Sequence, residues 1–226
     1  MSIRLEVWGD YACFTRPELK TERYSYDVMT PGAAVGILEA VFWHPGLHYQ
    51  IDRIHILNPI RFASVRRNEV KSKIMASGIK TAVKKEEFGD IYLNTKTDIV
   101  QRAATVLKNV RYVIEAHFDI GPEANGTDNA GKFQDILKRR ARKGQCYHQP
   151  YLGTREFPAG FGLWEKGDIP TAYENQEKDL GIMLHHMEYA PRKLKGEAVV
   201  YDASPVFFRA VMKNGVLDLR ESEVLR

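Results

Sequence analysis

The chain has 226 residues, 44% of them hydrophobic and 27% charged, so it can bury a core and is not a disordered segment. A net charge of +4 and a pI near 8.9 are too mild to argue for a polyanionic partner, so that argument rests on where the cations cluster. Two cysteines, Cys13 and Cys146, are too few for a disulfide framework, and no apolar run reaches membrane-helix length. A reducing, cytoplasmic setting without a membrane partner is therefore expected.

In chain order, Ile3, Leu5, Val7, Tyr11 and Cys13 alternate with Arg4, Glu6, Trp8 and Asp10, which predicts a strand with Gly9 as a bulge. After a polar loop, Thr30-Pro31 reads as an N-cap and first-turn proline. They open a helix lined by Ala34, Ile37, Leu38 and Val41 and stopped at Trp43-His44-Pro45-Gly46. Residues 49–62 predict a second strand with an interruption at Asn58-Pro59. Residues 64–98 are basic, punctuated by Gly78 and Gly89, and read as a projecting hairpin or loop with one strand-like fragment at 91–93. A helical turn is expected at 101–108. Val110, Tyr112, Ile114, Ala116, Phe118 and Ile120 then alternate with Arg111, Val113, Glu115, His117 and Asp119, the cleanest strand pattern in the chain.

The most basic run follows, at residues 129–144. Asp128 or Asn129 can cap it, Phe133, Ile136, Leu137 and Ala141 recur at helical spacing, and Gly144 supplies the left-handed stop. Lys132, Lys138, Arg139, Arg140, Arg142 and Lys143 are left for solvent or a polyanion. Residues 151–164 carry Gly153, Gly160 and Gly162 among aromatics, the pattern of a strand that another backbone approaches closely.

Strand, helix, strand, strand, helix, strand is the α+β, ferredoxin-like (RRM-like) βαββαβ order. Residues 1–165 are read as that domain, with the basic hairpin inserted at about 64–98. Residues 166–226 are read as a C-terminal antiparallel β extension, in which Asn214-Gly215 marks a hairpin turn. Both helices would share one sheet face and leave Arg111, Glu115 and His117 on an open one, a plausible platform for nucleic acid.

No spacing of His, Cys, Asp or Glu suggests a metal, no glycine pattern suggests a nucleotide, and no cofactor is expected. What remains is acid–base chemistry, for which RNA offers a substrate: its 2′-hydroxyl attacks the adjacent phosphate once a base removes the proton. Lys132, in the first turn of the basic helix, suits the role of offsetting charge on the phosphate. His117 is the leading acid–base candidate, followed by Tyr49, His44 and His48. Arg66, Arg67, Lys71, Lys73, Arg155 and the cations of the basic helix are the expected contacts to RNA.

The first strand with Trp8-Gly9-Asp10, then Val65-Arg66-Arg67-Asn68-Glu69-Val70, Glu115-Ala116-His117-Phe118, Gly131-Lys132 and Leu152-Gly153-Thr154-Arg155-Glu156-Phe157, follow one another in an order that resembles the subtype I-C form of the CRISPR-associated Cas-five family, within the RAMP superfamily. The resemblance implies a ferredoxin-like domain with a β extension. It also implies a metal-independent endoribonuclease that cuts CRISPR repeat RNA and stays on the 5′ handle of the guide RNA, beside other RAMP backbone and large subunits. Non-catalytic binding of guide RNA or double-stranded DNA is the alternative. The family's catalytic set is a tyrosine ending the first helix and a Lys-His pair opening the second. Here Phe42 stands at the tyrosine position, Lys132 matches the lysine and Phe133 stands at the histidine. Either His117, His44, His48 or Tyr49 substitutes, or Lys132 mainly binds phosphate.

Overall fold

The computed structural model describes residues 2–19, 21–89, 91–193, 199–220 and 222–225. In chain order the elements are β1 (Ser2–Ala12), α1 (Pro31–Val41), β2 (Leu47–Ile56), β3 (Phe62–Val70), α2 (Ala76–Lys85), β4 (Ile99–Ile120), α3 (Ala130–Lys143), β5 (Gly160–Leu163), β6 (Glu177–Lys193), β7 (Val199–Lys213), β8 (Val216–Asp218) and β9 (Val224–Leu225). The protein is a mixed α+β fold built on a nine-stranded sheet, with the path β5-β1-β4-β2-β8-β7-β6. β3 extends β4, and β9 lies on β7.

Every pairing within this sheet is antiparallel. α1 and α3 pack on one face of it. The side chains expected to line α1 are buried there with Leu5, Val7, Tyr112, Ile114 and Phe118 of the sheet and Phe133, Leu137 and Ala141 of α3. Thr30 caps α1 by accepting from the Ala33 amide, and Asn129 caps α3 by accepting from the Lys132 amide at 2.9 Å. Gly144 ends α3 at φ 63°, the left-handed conformation that glycine adopts without a Cβ clash.

Several expectations are corrected. Residues 101–108 are strand and not a helical turn: they form the first half of β4, a 22-residue strand, and pair residue by residue with β3 from Phe62↔Leu107 to Val70↔Ile99. A partner strand outweighs weak local helix preference. The expected strand at 49–62 ends at Ile56, because Pro59 has no N–H for a ladder, and the chain re-enters the sheet at Phe62 as β3.

Gly9 is not a bulge. It pairs in register with Val110, and a Cβ there would meet the Leu152 side chain at 2.5 Å, so close approach is what demands glycine. Of residues 151–164, only Gly160–Leu163 is strand; the preceding residues form a turn closed by Leu152 N–H to the Phe157 carbonyl at 2.8 Å and by Cys13 N–H to the Leu152 carbonyl at 3.0 Å. Residues 91–93 lie outside any strand, in the connection that also holds α2.

The second face of the sheet is covered by charge pairing and is less open than expected. Glu115 is buried and receives Arg4 at 2.7 Å, Arg53 at 3.2 Å and His55 at 3.5 Å. Burial alone would raise its pKa, but His55, Arg53 and Arg4 together hold it below the usual carboxylate value. Arg111 is tied to Glu6, and Val113 lies beneath Leu57 and Trp164. Asn214 and Gly215 both take positive φ in the turn joining β7 to β8, as an Asn-Gly hairpin turn requires. β8 also pairs with β2, so the C-terminal strands continue the sheet begun by the N-terminal ones. Among the described residues no helix is long and apolar enough to cross a membrane.

Candidate functional site

Where β4 ends and α3 begins, Asp128 and Lys132 come together with His44, which lies far away in sequence. The Asp128 side chain, 1% accessible, takes Lys132 Nζ at 2.8 Å on one oxygen and faces His44 Nε2 at 3.7 Å with the other. Lys132 holds Asp128 below the usual carboxylate pKa, first through that hydrogen bond. His44 Nδ1 donates to the Pro45 carbonyl at 2.9 Å, which leaves Nε2 as the nitrogen free to exchange a proton.

The floor beneath this cluster is aromatic. Phe133 meets Phe42 edge-on with centroids 5.7 Å apart, Phe118 at 6.5 Å, and the His44 ring at 4.9 Å. Lys132 stands beside this floor, its side chain 47% exposed, in the first turn of α3 where helix N–H groups favour an anion. The arrangement presents an ammonium, an imidazole and a helix N-terminus to one patch of solvent, a combination fitted to a phosphodiester.

The other acid–base candidates lie elsewhere. His117 alternates along β4 with Phe118, whose ring contacts Phe133, so it points to the opposite sheet face; there it bonds Asp52 at 2.9 Å. Tyr49 is buried, its hydroxyl donates to the Phe42 carbonyl at 2.7 Å, and burial raises its pKa. It therefore serves the end of α1 and cannot act as a base. His48 is exposed and pairs with Glu123 at 3.6 Å. Asp128 was legible in sequence only as one of two possible caps; its bridging of Lys132 and His44 depends on where the turn after α1 lands.

The expected RNA-contacting cations divide into two groups. Arg140 donates to the Val41 carbonyl at 2.9 Å and lies over the Phe42 ring, Arg67 pairs with Glu69 and Glu156, and Arg142 grips Glu165 at 2.7 and 3.0 Å. Arg66, Lys71, Lys73, Arg139, Lys143 and Arg155 are exposed and, among the described residues, have no ion-pair partner. Lys138 is half-buried, close enough to Glu165 to lower that carboxyl's pKa.

A double charge reversal at Arg139 and Lys143 should therefore weaken RNA binding and flatten log Kd against log salt by about 0.7 per residue. Titrations at three salt concentrations check this. Arg140→Ala should instead cost about 1–3 kcal/mol of stability by denaturant melt, since it strips a charged donor from a helix end.

The chain is one of the CRISPR-associated proteins: the family model described as CRISPR-associated protein (Cas_Cas5) matches residues 2–220, and the chain belongs to that family, in its Cas5d, subtype I-C form. Two relatives are named CRISPR pre-crRNA endoribonuclease Cas5d. The one from Mannheimia succiniciproducens is 48% identical over 221 residues, covering 96% of this chain and 94% of its own length. The one from Thermus thermophilus is 38% identical over 227 residues, covering 96% and 90%. Among solved structures, a functionally uncharacterized protein from Streptococcus mutans matches with TM-score 0.67 at 22% identity, and a CRISPR-associated protein with TM-score 0.65 at 23% identity. Each covers 100% of this chain and 97% of its own, and shows the shared fold.

Proposed function

We propose that this chain is a metal-independent endoribonuclease that cuts CRISPR repeat RNA and stays on the 5′ handle of the product, in the cytoplasm, as a subunit of the type I-C surveillance complex. The observation that carries this reading is end-to-end similarity, at 48% identity, to a protein named a pre-crRNA endoribonuclease. In support, the order β5-β1-β4-β2 with α1 and α3 on one face is the order that a ferredoxin-like βαββαβ unit at 1–165 would have, with 166–226 read as its β extension.

In the proposed reaction His44 Nε2 takes the proton of a 2′-hydroxyl. The freed oxygen bonds to the adjacent phosphorus, the bond from phosphorus to O5′ breaks, and O5′ takes a proton from solvent water. The products are a 2′,3′-cyclic phosphate and a 5′-hydroxyl. Lys132 and the N-terminus of α3 offset charge that builds on the phosphoryl oxygens. His44 sits against the ring of Phe133, so an imidazole lies 4.9 Å from the position where the family resemblance expects one. Asp128 keeps the ammonium and the imidazole together before RNA arrives.

A second reading, binding of guide RNA or duplex DNA without chemistry, is favoured by one observation: Phe42 and Phe133 are both buried and apolar. Repeat RNA incubated with the purified chain in excess chelator, beside RNA carrying deoxyribose at the cut, separates the two. A single cut ending in a cyclic phosphate and abolished by the deoxy substitution supports the enzyme; tight binding without a cut supports the binding subunit.

A further inference from the structure

On the sheet face away from α1 and α3, at the far end of β1 from Ser2, Trp8 is 43% exposed although it lies within a paired strand. Its indole spans two glycines on β5. A Cβ on Gly160 would lie 2.5 Å from the ring atoms Cε2 and Nε1, and one on Gly162 would lie 3.9 Å from Cη2 and Cζ3. Gly160 and Gly162 are two residues apart and so face the same side of the strand. The ring can lie along β5 because Gly160 lacks a side chain, while a Cβ at Gly162 would only touch it at ordinary contact distance; this backs one face of the indole with protein and turns the other outward.

Beside it opens a cavity of about 380 Å³, lined by Glu6, Asp10, Asn58, Asn109 and Arg111 as well as Trp8. The charges there are arranged against phosphate. Arg111 is already held by Glu6, with Nε 2.6 Å from Oε1, so the cation is neutralised. Asn58 gives its Nδ2 to the Asn109 carbonyl at 2.9 Å. The Asp10 carboxylate and the Asn109 side-chain amide have no hydrogen bond or ion pair among the described residues. An aromatic plate beside an unoccupied carboxylate takes a flat molecule that presents adjacent N–H donors in its plane.

We infer that this pocket binds one unpaired guanine of a single-stranded RNA, stacked on Trp8 with its edge on Asp10. Guanine is the base whose N1–H and N2–H lie side by side, matching the two oxygens of a carboxylate. Uracil carries one N–H between two carbonyls, and adenine and cytosine each offer a single amino group beside acceptors. Stacking alone is tolerant of base identity, so Trp8 supplies affinity and Asp10 supplies discrimination. The site lies on the other face from Lys132 and stands apart from the proposed chemistry.

The test is equilibrium binding of labelled 5′-UUGUU, 5′-UUAUU, 5′-UUCUU and 5′-UUUUU to the full chain and to W8A, W8F and D10N, with thermal melts as the folding control. The guanine pentamer should bind the unaltered chain roughly tenfold more tightly than the uracil pentamer, on the scale of hydrogen bonds to a charged group. W8A should weaken binding of all four pentamers by roughly tenfold, on the scale of one stacked base, W8F should keep most of that affinity, and D10N should reduce the guanine preference below about threefold while still binding all four. Equal binding of the four pentamers, a guanine preference that survives D10N, or an affinity that W8A leaves unchanged overturns the site. Cleavage of repeat RNA is followed on the same preparations: a guanine preference in protein that does not cut supports this site and counts against the nuclease alone.

Discussion

Lys132→Ala should slow cleavage of repeat RNA on the order of 10²-fold while changing RNA affinity less than about threefold. The ammonium sits in the first turn of α3, already positioned by Asp128 at 2.8 Å, and the charge it would meet grows on the phosphoryl oxygens as the 2′-oxygen attacks. In the ground state the same lysine is one of several exposed cations, so Arg66, Arg139 and Lys143 sustain most of the binding without it. Single-turnover rates at saturating protein, measured beside equilibrium binding, separate the two effects. A parallel loss of rate and affinity would assign Lys132 to binding alone.

His44→Ala should cost a further kind of rate loss, on the order of 10²- to 10⁴-fold, because it removes the imidazole proposed to take the proton. His117→Ala should stay within about twofold of the unaltered rate, a deliberate contrast. Both histidines contact an aspartate, but only His44 shares its aspartate with Lys132; His117 faces the far side of the sheet beside Asp52. A pH–rate profile adds a readout that simple unfolding would not mimic: the limb due to the base should vanish in H44A and persist in H117A. If H117A loses activity and H44A keeps it, the chemistry belongs on the opposite sheet face, and the site described around Asp128 is a structural ion cluster.

Much of this site was readable before any coordinates. The apolar spacing of Phe133, Leu137 and Ala141 defined which side of α3 is buried, and that in turn left Lys132 outward at a capped helix start. Asn129, Gly144, Thr30 and the Asn214-Gly215 turn act through their own backbone, so their roles follow from residue type and near neighbours. His117 shows where such reasoning stops. Strand alternation correctly separated it from Phe118, yet alternation does not say which face α3 covers.

Arg140 and Arg142 differ for the same reason. In sequence they are equivalent cations on one helix; in the fold one serves the C-terminal end of α1 and the other meets Glu165.

By itself, then, the sequence determined the first strand, the two capped helices of the core layer, the basic character of α3 and, through motif order, the family. Those properties depend on contacts within a few residues or on patterns preserved along the chain. The tertiary structure decided that 101–108 is strand, that His44 joins Lys132 at Asp128, and that Trp8 lies across Gly160 and Gly162. Each of these joins residues brought together only when strands choose partners, and that choice is made by the burial and hydrogen bonding of the whole sheet, which no local window contains.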